Sequence, residues 1–157
     1  RFSLLKCHRC IFVISIHKTA LVPYTAGNMF ALANDVAAYP KFLPWCKSVT
    51  LHSQTQSEVV ATIKMGSAGL EKSFTTTNTI KPNEWIEVRL LEGPFSHLQG
   101  RWSFQSLGEE GCKVSLNMEF EISNPLLRLS FGPLFTKITN TLVDAFVKRA
   151  NELHGKS

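Results

Sequence analysis

No part of the sequence carries a glycine-rich phosphate loop or a dinucleotide-binding fingerprint, which removes the common nucleotide-dependent enzyme classes. Ser67 lies between Gly66 and Ala68 in a turn that does not match a nucleophile elbow. Cysteine is scarce. Cys7 and Cys10 have zinc-ligand spacing, but no second pair completes a structural site, so no metal is expected. Cys46, beside Trp45, and Cys112, on an apolar strand face, read as small buried hydrophobes. Long hydrophobic runs are missing too. Cys10-Ile11-Phe12-Val13-Ile14-Ser15-Ile16 is stopped by His17 and Lys18 and is too short to span a bilayer.

Acidic residues are absent from positions 1–13, where Arg1, Lys6 and Arg9 fall. Setting those three cations aside leaves 14 basic residues against 12 acidic ones, a balance of +2 where the whole chain has +5. The folded body therefore offers weak grounds for a nucleic-acid or anionic-membrane partner on charge alone. The chain starts at Arg1 rather than Met, and residues 1–13 read as an N-terminal extension, disordered or non-native. Its Arg and Ser content without acids also fits an organellar transit peptide, while the missing small-residue cleavage site speaks against secretion.

What is present is one domain over residues 14–155. A chain of 157 residues buries about 70% of its unfolded surface and needs neither disulfide nor metal to fold. Ile14 to Val22 reads as a strand closed by Pro23, and Thr25 as the N-cap of a helix over 26–34. A short helical turn is expected over Val36 to Phe42. From Lys47 onward the apolar period becomes two. Val59, Ala61, Ile63 and Met65 alternate with polar neighbours, as do Ile86, Val88 and Leu90, then Leu98, Gly100, Trp102 and Phe104. Cys112, Val114, Leu116, Met118, Phe120 and Ile122 form the clearest series. Short turns between such runs predict an antiparallel meander of six strands. Asn124 and Pro125 then open a long helix, Gly132-Pro133 is expected to kink or split it, and Gly155 stands at its C-cap. The order of strand, helix, short helix, six strands and long helix predicts an α+β fold, with a curved antiparallel sheet wrapped around the C-terminal helix.

Several stretches in that order are specific. They are Thr19-Ala20-Leu21-Val22-Pro23-Tyr24, Asn34-Asp35-Val36 and Tyr39-Pro40-Lys41-Phe42-Leu43-Pro44-Trp45-Cys46. Ala68-Gly69-Leu70 with Phe74-Thr75-Thr76-Thr77-Asn78, Glu92-Gly93-Pro94-Phe95, and Ala145-Phe146 with Arg149-Ala150 follow. Over about Ile14 to Leu153 they resemble the bacterial RatA proteins, relatives of the mitochondrial coenzyme Q-binding START proteins. Glu92-Gly93-Pro94-Phe95, and Ser103-Phe104 followed by Leu107, lie nearer the RatA branch. The resemblance implies a helix-grip (START/Bet v 1-like) domain of the polyketide cyclase-like superfamily. It implies a toxin of the bacterial cytoplasm that associates with the large ribosomal subunit and blocks its joining to the small one. The sister branch implies a ubiquinone carrier or chaperone supporting respiration, mitochondrial in a eukaryote. A cyclase-like enzyme is the distant alternative.

Within such a fold the hydrophobic cavity and its gate would be formed by Tyr39, Phe42, Leu43, Trp45, Met65, Phe74, Thr76, Leu90, Phe95, Leu98, Trp102, Phe135, Ile138 and Leu142. Phe42, Leu43 and Trp45 are either a gate fixed by Pro40 and Pro44, with Gly93-Pro94-Phe95 as its facing lip, or a plug for an open barrel end. No cofactor is required, but ubiquinone or another prenyl lipid could occupy the cavity. Thr76, Asn78, Trp102 and Tyr39 are the candidate head-group donors. Lys64, Lys72 and Arg101 are the candidates for ribosome contact, and transient membrane contact would accompany lipid exchange. The five histidines stand apart from any nucleophile or metal motif, and no catalytic residue is expected. His97 could line a pocket mouth or be solvated.

Overall fold

The computed structural model describes residues 2–6, 12–67 and 69–155, so the Cys7–Cys10 pair lies outside the described residues. The strands are β1 (Phe2–Lys6), β2 (Phe12–Val22), β3 (Cys46–Gln54), β4 (Glu58–Ser67), β5 (Leu70–Lys81), β6 (Trp85–Glu92), β7 (His97–Leu107) and β8 (Gly111–Glu121). They form one antiparallel sheet in the order β1-β2-β8-β7-β6-β5-β4-β3. Consecutive hairpins build β3 to β8. The first long strand then joins the last, from Ile14 opposite Phe120 to Val22 opposite Cys112. Within the stretch read as an N-terminal extension, Phe2–Lys6 pair along β2 as an edge strand.

Alternation sets the inner face. In β8 the even positions from Cys112 to Phe120 are buried, and β7 buries Leu98, Gly100, Trp102 and Phe104. Register shifts at Cys46/Ser48 and Leu51/Ser53 put extra residues into β3, and the shift at Thr75/Thr76 puts Leu91 of β6 out of register with β5. The turn after β5 puts Pro82 and Asn83 at its centre, and Glu84 N–H closes it on the Lys81 carbonyl at 3.0 Å. Asn83 takes the left-handed φ of 65° that Asn tolerates better than most residues.

Helix α1 (Ala26–Asn34) begins where expected, with the Thr25 hydroxyl accepting from Asn28 N–H at 3.0 Å. The turn over Val36–Lys41 is a 3-10 helix, and the Tyr39 carbonyl receives N–H groups from both Phe42 and Leu43 as it ends. Helix α2 (Pro125–His154) is a single element of 30 residues. Of the kink or split expected at Gly132-Pro133, the split does not occur. Pro133 frees the Leu129 carbonyl, but Leu129 and Pro133 are solvent-exposed, so water can serve that acceptor. Phe131, Gly132 and Phe135 on the opposite side are buried against the sheet and carry the helix through. Gly155 does cap α2, though in extended conformation rather than the left-handed one. A Cβ there would lie 2.5 Å from the Asn151 carbonyl oxygen, which explains the glycine.

The core lies between the sheet's inner face and the buried sides of α1 and α2. Among the described residues, no helix is long and apolar enough to cross a membrane.

The start of α2 depends on one side chain. Asn124 Oδ1 accepts from Leu126 N–H at 2.9 Å and Leu127 N–H at 3.2 Å, while Pro125 has no N–H to satisfy. Asn124→Ala is expected to lower unfolding stability by about 1 kcal/mol, measured by urea denaturation.

Candidate functional site

Two groups of aromatic rings fill the interior near opposite ends of α2. Toward its N-terminus, Phe135 meets Phe95 and Phe120 with ring centroids 4.7 Å apart, and Phe74 and Phe131 at slightly greater distance. Toward its C-terminus, Phe146 meets Trp102 at 5.0 Å, Phe42 at 5.2 Å and Tyr39 at 5.3 Å. Large rings concentrated at two ends leave room between them. A cavity of about 70 Å³ lies there, against Phe135, Ile138, Thr139 and Leu142 of α2.

Nine of the fourteen expected cavity residues line it: Tyr39, Trp45, Phe74, Thr76, Leu98, Trp102, Phe135, Ile138 and Leu142. The other five do not, which corrects the expected lining. Met65 and Leu43 are buried elsewhere in the core, and Leu90 is half-buried at the end of β6. Phe42 packs on Tyr39 and Phe146, with the Arg149 guanidinium 5.4 Å from its ring. Phe95 belongs to the other ring group. Phe42 and Phe95 therefore do not face one another as gate and lip. The proline-bracketed stretch mainly closes one end of the core, and only Tyr39 and Trp45 from it reach the cavity.

Sequence reasoning missed Ala33, Val36, Ile63, Ile86, Val88, Met118 and Thr139 as lining residues, and weighed Asn78 only as a donor. Alternation identifies the inward side chains of a strand, but not which of them meet empty space. Gly100 shows the difference. Its missing side chain admits Met118, whose Sδ and Cε lie 2.8 Å from where a Cβ would stand.

The cavity is electrically quiet. Among the described residues no carboxylate, histidine, lysine or arginine lines it. Burial, then the neighbouring Cys46 and Asp35, push the Tyr39 phenol far up from its ordinary value. Burial pushes the Cys46 thiol up to about 11. Both stay neutral at pH 7. The Tyr39 hydroxyl is also committed, donating to the Ala33 carbonyl at 2.5 Å. That removes Tyr39 as a free head-group donor. The Thr139 hydroxyl donates to the Phe135 carbonyl at 3.0 Å. Thr76 Oγ1 donates to Asn78 Oδ1 at 3.1 Å, and Asn78 Nδ2 has no hydrogen-bond partner among the described residues.

The outer sheet face is different in kind. A broad, open depression of about 440 Å³ crosses β2, β8, β7 and β6 there. Its polar side chains pair with one another: His17 with Asn117, Arg101 with Glu87 at 2.8 Å, and Glu119 with His97 at 2.9 Å. His97 is thus held on the outer face and does not line the cavity. His52 bonds Thr62 and His154 lies beside the Tyr24 ring. Among the described residues no cluster of His, Cys, Asp or Glu could hold a metal.

The three expected ribosome-contacting cations are not brought together. Lys64 and Arg101 point outward, but Lys64 pairs with Glu71 at 3.4 Å. Arg101 also sits over the Trp85 ring at 4.6 Å. Lys72 stands opposite Met65, a residue of the inner face, so its Cβ lies on the other side of the sheet.

Residues 22–147 match the family described as polyketide cyclase/dehydrase and lipid transport. The chain is 43% identical to the ribosome association toxin RatA of Pseudomonas aeruginosa, covering 89% of this chain and 97% of that one. It is 25% identical to a mitochondrial coenzyme Q-binding protein of Drosophila melanogaster, covering 88% of this chain and 59% of that one. Among solved structures it is similar to an aromatase/cyclase from Streptomyces, with TM-score 0.75, 20% identity, and 88% and 94% of the two chains covered. An 18 kDa protein of Caulobacter crescentus superposes with TM-score 0.70 at 31% identity, over 90% of this chain and 99% of that one. The helix-grip sheet, the sequence match and these relatives agree: the chain belongs to the polyketide cyclase/dehydrase and lipid transport family, in its RatA and coenzyme Q-binding START branch.

Proposed function

We propose that this protein is a RatA-type toxin of the bacterial cytoplasm, which associates with the large ribosomal subunit and hinders its joining to the small one. The observation carrying this reading is 43% identity to a ribosome association toxin across 97% of that protein's length. The outer sheet face supplies a plausible contact for RNA. The Arg101 guanidinium, paired with Glu87, lies over the Trp85 ring at 4.6 Å, and Arg89 is exposed one strand away. A guanidinium stacked on an exposed-side ring, next to a second cation, offers phosphate contact and a stacking surface together.

The reading is of a non-enzymatic binding protein. The interior holds no acid, base or activated nucleophile of the kind proton transfer or acyl chemistry needs. The likeness to the aromatase/cyclase speaks for fold only.

A second activity has its own support: the apolar cavity between sheet and α2. At about 70 Å³ it has room for about two waters. Sites for drug-sized ligands span about 300–1,000 Å³. A ubiquinone ring and prenyl tail would therefore have to enlarge it, with the unbranched Met118 side chain the readiest to move. The small volume ranks ribosome association ahead of a pure carrier role.

Sedimentation of the purified protein with isolated subunits is expected to place it with large subunits and not small ones. Adding it during subunit rejoining should lower the yield of joined ribosomes; protein left at the top of the gradient would overturn the reading. Arg89→Glu with Arg101→Glu should cut the bound fraction at least tenfold and flatten its salt dependence. For the carrier reading, organic extracts of protein from a quinone-producing bacterium should contain ubiquinone by mass spectrometry. Leu142→Trp, which fills the cavity, should remove it.

A further inference from the structure

We propose that the cavity takes a neutral apolar molecule bearing a hydrogen-bond acceptor such as a carbonyl, and that the Asn78 side-chain amide, positioned by Thr76, recognises that acceptor. This rests on the second reading above, that the cavity binds a hydrophobic molecule.

Asn78 is a costly residue where it stands. Its cross-strand neighbours are Val59 on β4 and Val88 on β6, and it is about nine-tenths buried. Buried amides ordinarily find partners, because an unmatched donor loses its water without compensation. Here Oδ1 is matched, while Nδ2 has no partner among the described residues and keeps some accessible surface where it meets the cavity. Thr76 Oγ1 holds Asn78 Oδ1 at 3.1 Å, which leaves the two N–H groups of Nδ2 as the unused end. Thr76 and Asn78 both line the cavity, so that end shares one partly open space with Trp45, Trp102 and Leu142. A core position chosen for stability alone would carry Val or Leu. An amide kept in place by a dedicated threonine is preorganised for an acceptor that arrives from outside.

The charge of that ligand follows from the same walls. No cation lines the cavity, so a carboxylate or phosphate brought inside would be buried unpaired. Fatty acids and phospholipid head groups are disfavoured; quinones, ketones and esters fit. The Trp45 and Trp102 rings add flat apolar surface against which a planar group can lie.

Tryptophan fluorescence of the complete protein, titrated with decylbenzoquinone and with decylbenzene as competitor, separates the possibilities. The wild type is expected to bind the quinone about tenfold tighter than the hydrocarbon. Asn78→Leu should erase that preference by weakening quinone binding about tenfold while leaving decylbenzene unchanged. Thr76→Val should weaken quinone binding less. The double variant Thr76→Val with Asn78→Leu, which removes both polar partners, should melt no lower than wild type yet bind quinone as poorly as the single Asn78 variant. Equal quinone affinity in wild type and Asn78→Leu would overturn the role of Asn78 while leaving the cavity as a ligand site. Failure of both probes to bind the wild type would overturn the cavity reading and this proposal with it. Decanoate competing better than decylbenzoquinone would overturn the requirement for a neutral ligand.

Discussion

Phe135 projects from the first half of α2 into a ring of four other phenylalanines, Phe74, Phe95, Phe120 and Phe131. Those four come from β5, the β6–β7 turn, β8 and α2 itself, so one side chain ties the helix to three separated parts of the sheet. The rest of the architecture depends on this seat. A sheet of eight strands with its inner face bared would have no way to cover its apolar surface except by receiving a long helix. The helix, in turn, has Pro133 two residues before Phe135, and it is the buried packing on both sides of that proline that keeps it whole. The second seat, Phe146 among Trp102, Tyr39 and Phe42, fixes the far half. Between the two seats the smaller side chains Ile138, Thr139 and Leu142 do not reach the sheet everywhere, and the cavity is what remains.

Much of this was legible from residue order. Period two located β4, β6, β7 and β8 because each of those strands has one wetter and one buried face. Thr25 and Asn124 announced the helix starts through side chains that can take up orphan N–H groups, and both do so. The errors share a cause. Local propensity at Gly132-Pro133 favours a split, which packing overrides. Lys72 was grouped with Lys64 and Arg101 as if charge alone decided the face, although alternation along β5 puts it on the side of Phe74 and Thr76. Of the gate and the plug that the proline-bracketed stretch allows, the separate packing of Phe42 and Phe95 fits the plug. Whether two distant rings meet depends on the curvature of the whole sheet, which no short stretch encodes.

Placement of the cations also separates what the two faces of the sheet can do. Outside, charge is abundant and paired, so a polyanion would have to compete with Glu87 for Arg101 and with Glu71 for Lys64. Inside, charge is absent and every ionisable group is pushed toward its neutral form. The sheet is therefore a partition between a surface governed by ionic strength and an interior governed by shape and hydrogen bonding. The two could act in the same molecule without interfering.

The register shifts in β3 have a consequence for the chain in company. β3 is the last strand at one side of the sheet, and outer strands present unpaired backbone groups to any passing extended segment. Two irregularities, at Cys46/Ser48 and Leu51/Ser53, break the spacing of those groups within nine residues. A visiting strand could match one short stretch but would lose step at the next. The sheet is thus blunted on that side against growth into stacked, intermolecular β-structure, and the protein can be concentrated with less tendency to clump through β3.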